Sequence, residues 1–125
     1  MAVSHKGSCH CETVKYTVLG EDTIEVWRCN CSICTKKGIQ CFTVEPDKFK
    51  IIQGEDSLSI YTYNTHIAKH TFCKVCGCVP FYYPRSGGVG ISIQCLDQST
   101  VEKVIWHDFD GENWEESIKG SSVSK

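Results

Sequence analysis

No run of apolar residues in this 125-residue chain approaches the roughly 18 that a membrane-spanning helix needs. Its opening, Met1-Ala2-Val3-Ser4-His5-Lys6-Gly7, has no apolar centre of the kind a secretory signal requires. The expectation is a soluble intracellular protein with no membrane partner, cytoplasmic and also compatible with the nucleus. Basic charge is lacking as well: 13 Lys and Arg stand against 15 Asp and Glu, a formal net charge of −2. The only dense positive cluster is Lys36-Lys37, with Arg28 on the other side of a cysteine group. Nucleic acid binding selects a net basic face, so it is not expected here. Repeats and linkers are absent too, and Gly87-Gly88-Val89-Gly90 lacks the spacing and the following helix of a dinucleotide fingerprint, so it reads as a turn.

Cysteine is what the chain has in quantity, ten in all. Seven fall into three tight clusters, Cys9-His10-Cys11, Cys29-Asn30-Cys31-Ser32-Ile33-Cys34 and Cys73-Lys74-Val75-Cys76. In a reducing compartment thiols stay free, and cysteines two or three positions apart rarely serve as structural staples, so metal is expected rather than disulfides. Such spacing lets the sulfurs aim at one point, which suits tetrahedral zinc. Pairing Cys9 and Cys11 with Cys73 and Cys76 makes a closed structural site that encloses residues 12 to 72. Closure entropy grows only with the logarithm of loop length, and zinc binding of about 10–16 kcal/mol exceeds it.

Cys29, Cys31 and Cys34 are then one ligand short of a second site. Two readings stand: Cys41, Cys78, Cys95, His66, His70 or His107 completes them as another structural zinc, or the fourth position stays exchangeable and the trio carries the chemistry. Arg28, Lys36 and Lys37 are candidates to hold the carboxylates of an acidic ligand and to ease thiol deprotonation. His66 and His70 are candidates for an acid–base or supporting role. Cys41, Cys78 and Cys95 read most simply as small buried apolar residues. Zinc with four thiolates contributes −2 and zinc with three contributes −1, which would take the net charge from −2 to −5.

Alternation of period two marks half-buried strands around Val14, Tyr16 and Val18, around Leu58 and Ile60, and around Ile91 and Ile93. Further strands are expected at 23–28, 39–44, 49–52, 67–72, 79–83 and 101–106. They lie too close together for parallel crossovers, which predicts an all-β, antiparallel fold with the cysteine clusters in loops. One short helix is expected near the end, capped by Asp110, with Trp114 and Ile118 on one face and Gly120 as a stop. A single domain over 1–120 and a frayed tail at 121–125 complete the expectation.

Gly7-Ser8-Cys9-His10-Cys11, the Cys29-to-Cys34 run and Phe72-Cys73-Lys74-Val75-Cys76-Gly77 resemble the glutathione-dependent formaldehyde-activating (GFA) family. Tyr61-Thr62-Tyr63-Asn64-Thr65-His66, His70-Thr71-Phe72-Cys73, Phe81-Tyr82-Tyr83-Pro84-Arg85-Ser86, Cys95-Leu96-Asp97 and Trp114-Glu115 are similar to its centromere protein V-like branch. The resemblance implies a β-tent fold related to zinc ribbons. It also implies a structural zinc on Cys9, Cys11, Cys73 and Cys76, and a second zinc on Cys29, Cys31 and Cys34 with a replaceable fourth ligand. The implied activity joins glutathione to formaldehyde, a carbon–sulfur lyase reaction when written in reverse. The competing reading is a zinc-stabilised binding module without turnover, for glutathione or a protein, using exposed aromatics such as Tyr82, Tyr83 and Trp106. Oligomeric state is left open.

Overall fold

The computed structural model describes residues 2–29, 32–62, 67–84 and 87–109. These form mostly strands, β1 (Ala2–Ser8), β2 (Lys15–Glu21), β3 (Thr23–Cys29), β4 (Gln40–Val44), β5 (Phe49–Gln53), β6 (Leu58–Tyr61), β7 (His70–Cys73), β8 (Phe81–Tyr82), β9 (Val89–Ser92) and β10 (Lys103–Phe109), with one helix, α1 (Ser32–Lys37). They assemble into a three-stranded sheet in the order β1-β2-β5, a five-stranded sheet in the order β10-β3-β4-β9-β8, and the pair β6-β7. None of the described helices is long and apolar enough to cross a membrane. The helix expected from Asp110 to Gly120 and the tail after it lie outside the described residues.

Three features depart from expectation. β1 forms where no strand was expected, because its buried positions are His5 and Gly7 rather than apolar residues. His5 is 0 % exposed, with Nδ1 2.7 Å from the Thr100 hydroxyl and Nε2 2.8 Å from the Glu21 carbonyl, so both ring nitrogens are satisfied inside the protein. Gly7 makes room for the Tyr16 ring, since a Cβ there would sit 2.3 Å from Tyr16 Cζ. Secondly, the segment around Cys34 is helical rather than a loop. Thirdly, β3 and β10 pair in parallel, from Thr23 opposite Lys103 to Cys29 opposite Phe109. The expectation of mostly antiparallel pairing holds, and this one parallel pair is possible because residues 30–102 lie between the two strands and supply a crossover of ample length.

The core gathers Val14, Tyr16 and Val18 from β2, Ile24 and Val26 from β3, Phe42 from β4, Phe81 from β8 and Val89 and Ile91 from β9. Phe81 meets Tyr16 and Phe49 edge-on, at centroid distances of 5.2 and 4.7 Å, the favoured geometry for aromatic pairs. The Tyr16 hydroxyl donates to the Pro80 carbonyl at 3.1 Å.

Register shows what the other face of the five-stranded sheet carries. His107 stands opposite Trp27, Trp27 opposite Cys41, and Cys41 opposite Ser92, a row across four strands. Thr43 stands opposite Gly90 and Gly90 opposite Tyr82, a second row beside the first. Cys29 follows Trp27 by two residues and therefore shares its side of the strand. One face of this sheet is apolar core, and the reverse face holds thiols, hydroxyls and aromatic rings.

Candidate metal centre and the thiol-bearing sheet face

Cys9 follows β1 directly, and Cys73 closes β7. Each begins a tight turn: the Glu12 N–H bonds to the Cys9 carbonyl at 3.1 Å, and the Gly77 N–H to the Cys73 carbonyl at 2.8 Å. The turns carry Cys11 and Cys76 back toward their partners. All four sulfurs lie within 4.8 Å of one another, with Cys11 Sγ 3.6 Å from Cys9 Sγ and 3.7 Å from Cys73 Sγ. A tetrahedron with metal–sulfur bonds of about 2.3 Å has edges of about 3.8 Å. The spacing fits, so the four sulfurs form a group that can hold a metal ion, as the two paired clusters predicted.

The surrounding backbone is arranged for negative sulfur. Val14 N–H points to Cys9 Sγ and Val75 N–H to Cys73 Sγ, both at 3.4 Å, and the Thr13 hydroxyl lies 3.0 Å from Cys11 Sγ. Without metal, the Cys11 and Cys78 N–H groups hold the Cys76 thiol down to about 5, and the Thr13 hydroxyl and N–H lower that of Cys11. Burial pushes Cys9 up to about 12. A divalent ion held by the four sulfurs would displace their thiol protons. Among the described residues, no other set of three or more ligand atoms gathers this closely.

Of the second cysteine group, Cys29 lies on the reverse face of the five-stranded sheet. Cys29 ends β3, and Cys34 is buried on α1; Cys31 lies outside the described residues, as does His66. Tyr82 reaches this region from β8, its hydroxyl 3.6 Å from Cys41 Sγ. Burial first, and then the nearby sulfurs of Cys41, Cys34 and Cys29, hold the Tyr82 hydroxyl in its protonated form. His70 stacks on the Tyr82 ring, nearly parallel at 7° with centroids 5.4 Å apart. It is placed there because β7 docks beside β8, through paired bonds between Lys69 and Tyr83 at 2.8 Å.

A model of the family described as glutathione-dependent formaldehyde-activating enzyme matches residues 4–110. The chain belongs to the GFA family. The match runs from within β1 to just past β10 and so takes in every cysteine group. A crystal structure of a Rhodobacter sphaeroides protein is similar as well, at 28% identity and a TM-score of 0.67 over 82% of this chain and 99% of that one.

In this GFA protein the expected substrate contacts are dispersed. Arg28 points to the opposite side of β3 from Cys29, where its Nε lies 3.2 Å from Asp108 Oδ1 and its guanidinium sits over the Trp106 ring at 5.3 Å. The Lys37 ammonium lies over the Phe72 ring at 4.8 Å. Lys36 is exposed beside it in the last turn of α1, an end of the helix that favours cations. Of the residues considered as a fourth partner for the trio, Cys41, Cys78, Cys95, His70 and His107 do not close a metal-sized group with Cys29 and Cys34. His107 is engaged with Glu25 Oε1 at 2.9 Å and stacks on Trp27 at 4.6 Å. Cys95 Sγ faces the Val79 carbonyl at 3.7 Å, and its thiol is pushed up to about 11 by burial. Cys41 is buried as expected, while Cys78 and Cys95 are only partly so. The aromatics weighed as a surface divide: Trp106 is 44% exposed, whereas Tyr82 and Tyr83 are partly covered. Tyr82 and Ser92 were missed as site residues, because only strand register reveals that they share a face with Cys41.

Proposed function

We propose that this GFA protein is a zinc-dependent carbon–sulfur lyase that interconverts glutathione and formaldehyde with S-hydroxymethylglutathione. In this reading Cys9, Cys11, Cys73 and Cys76 hold a structural zinc. Cys29, Cys31 and Cys34 hold a second zinc whose fourth position accepts the incoming thiol. The β-tent fold, the centromere protein V-like branch and a cytoplasmic setting belong to the same reading.

The observation that carries it is the contrast between the two cysteine groups. One is a closed four-sulfur cage against the core. The other has no described side chain closing a metal-sized group with Cys29 and Cys34, and it lies on the sheet face that carries polar groups. When bound, zinc at the second group would stabilise a thiol as thiolate near neutral pH, where a free thiol of pKa about 8.5 is only slightly ionised. The chain's own contribution is placement. α1 and the end of β3 present the sulfurs, and Tyr82 keeps its hydroxyl beside Cys41 on the same sheet face.

Metal analysis with an assay of the formaldehyde adduct tests the reading. Wild type should hold two zinc ions per chain and accelerate adduct formation. Cys31→Ser should fall toward one zinc and lose turnover while staying folded. Unfolding of Cys31→Ser to the same degree as Cys73→Ser would instead mean two structural sites. Glutathione binding without rate acceleration in wild type would leave a binding module and reject the enzyme.

A further inference from the structure

Tyr82 is anchored on β8, yet its hydroxyl reaches Cys41 on β4, with β9 lying between. The path exists because position 90 is glycine: a Cβ there would stand 2.4 Å from Tyr82 Cε1, so the ring lies directly over the β9 backbone. His70 covers the ring with a parallel stack. The chain thus delivers one hydroxyl across a whole strand to a thiol-lined spot within electrostatic reach of Cys34 and Cys29. A second hydroxyl is carried on the same face of the sheet. Ser92 is the cross-strand partner of Cys41 and is 0 % exposed, and its Oγ has no hydrogen-bond partner among the described residues. Buried hydroxyls without partners are uncommon, and one beside a candidate site points to a ligand atom that completes it.

We propose that the Tyr82 and Ser92 hydroxyls form the subsite that receives the oxygen of the one-carbon unit, which would make Tyr82 a specificity and catalytic residue of the GFA reaction. The proposal rests on the lyase reading above for its substrate. In the forming direction the thiol loses its proton to solvent and the sulfur adds to the carbonyl carbon. The new C–S bond forms as the C=O π pair moves onto oxygen, and that oxygen takes up one proton, so the S–H has added across C=O. Tyr82 donates its hydrogen bond to this oxygen as the negative charge grows, where a positioned donor acts most strongly. Ser92 Oγ lies on the same face to accept from the hydroxyl of the product.

Tyr82→Phe keeps the ring, and therefore the His70 stack, while removing only the O–H; Ser92→Ala removes a hydroxyl that no described residue uses. Both variants should keep wild-type zinc content and Tm. Tyr82→Phe should lower kcat at least tenfold with KM for glutathione within twofold. Wild type should also bind S-hydroxymethylglutathione, measured by calorimetry in excess formaldehyde, roughly three- to tenfold more tightly than S-methylglutathione, as one net hydrogen bond allows. Each variant should erase that preference. Wild-type turnover that both variants leave within twofold overturns the subsite while the lyase reading stands. A preference abolished by both variants in a wild-type protein without turnover overturns the lyase reading and supports the subsite. Absence of both turnover and preference in wild type overturns both, and loss of zinc in Tyr82→Phe in step with loss of activity makes Tyr82 structural and overturns the proposal.

Discussion

Replacing Cys73 by Ser should unfold this protein, whereas replacing Cys95 by Ser should not. Cys73 is 0 % exposed, its sulfur lies 3.7 Å from Cys11 Sγ and receives the Val75 N–H, and its own N–H bonds to the Cys78 carbonyl at 2.9 Å. The side chain therefore joins β7, and through it the β6–β7 pair, to the turn that follows β1. A serine oxygen is a poor soft ligand, and a site left with three thiolates loses its hold on zinc. Structural zinc contributes about 10–16 kcal/mol, as much as or more than the whole net stability of about 5–15 kcal/mol typical of a domain. Losing the ion should thus remove the cooperative transition rather than lower its midpoint. Cys95 supplies the control, since it is partly buried, faces the Val79 carbonyl and belongs to neither cluster. Its replacement should cost on the order of 1 kcal/mol, typical of single changes. Circular dichroism melts and a chromogenic zinc assay on purified variants read the difference. Equal Tm and equal zinc content in the two variants would refute the claim that the four-sulfur group holds the fold together.

Gly7→Ala should cost about 1–3 kcal/mol by driving a methyl group into the Tyr16 ring, which its hydrogen bond to Pro80 holds in place, and denaturant melts should show it as a lower midpoint with an unchanged slope. His5→Ala should cost about 2 kcal/mol or more, because it empties a fully buried side-chain site and removes the bonds to the Glu21 carbonyl and the Thr100 hydroxyl; a loss under about 0.5 kcal/mol by the same melts would contradict the two bonds described. Acid should release zinc from the four-sulfur group, because protons compete with the ion for the four thiolates. The sign is the same for the Cys76 thiol, which the Cys11 and Cys78 N–H groups hold low: what its thiolate contributes is present at high pH and is lost as pH falls. Full zinc release already at pH 7, read with the same chromogenic assay, would contradict this.

The four-sulfur site was legible because its signal is local. Cys9 with Cys11 and Cys73 with Cys76 carry their geometry in their spacing, and only the pairing of the two turns had to come from folding. β2 and β3 were legible through Val18, Ile24 and Val26, whose alternation matches the pleat. β1 was not, since a histidine and a glycine occupy the positions where alternation would show apolar residues, and each is buried for a partner far along the chain. α1 was hidden because six residues, Ser32–Lys37, make too few turns for a helical period to emerge beside a cysteine motif. The face shared by Cys41, Tyr82 and Ser92 was hidden for a third reason. β8 is two residues long, so its side assignment depends on which residue of β9 it meets, and Arg28 could not be excluded from the Cys29 side until the strand's alternation was fixed by its neighbours.

The parallel pairing of β3 with β10 also imposes an order on the molecule's birth. As the chain leaves the ribosome, β1 and β2 can zip into their hairpin at once, and the partner turns at Cys9 and Cys73 can meet as soon as β7 has emerged. The strand that ends in Cys29 must wait for residues 103–109 before its outer neighbour exists, and such distant pairings are the slow ones. The two turns that carry the cage sulfurs can thus meet before β10 has emerged to complete the five-stranded sheet.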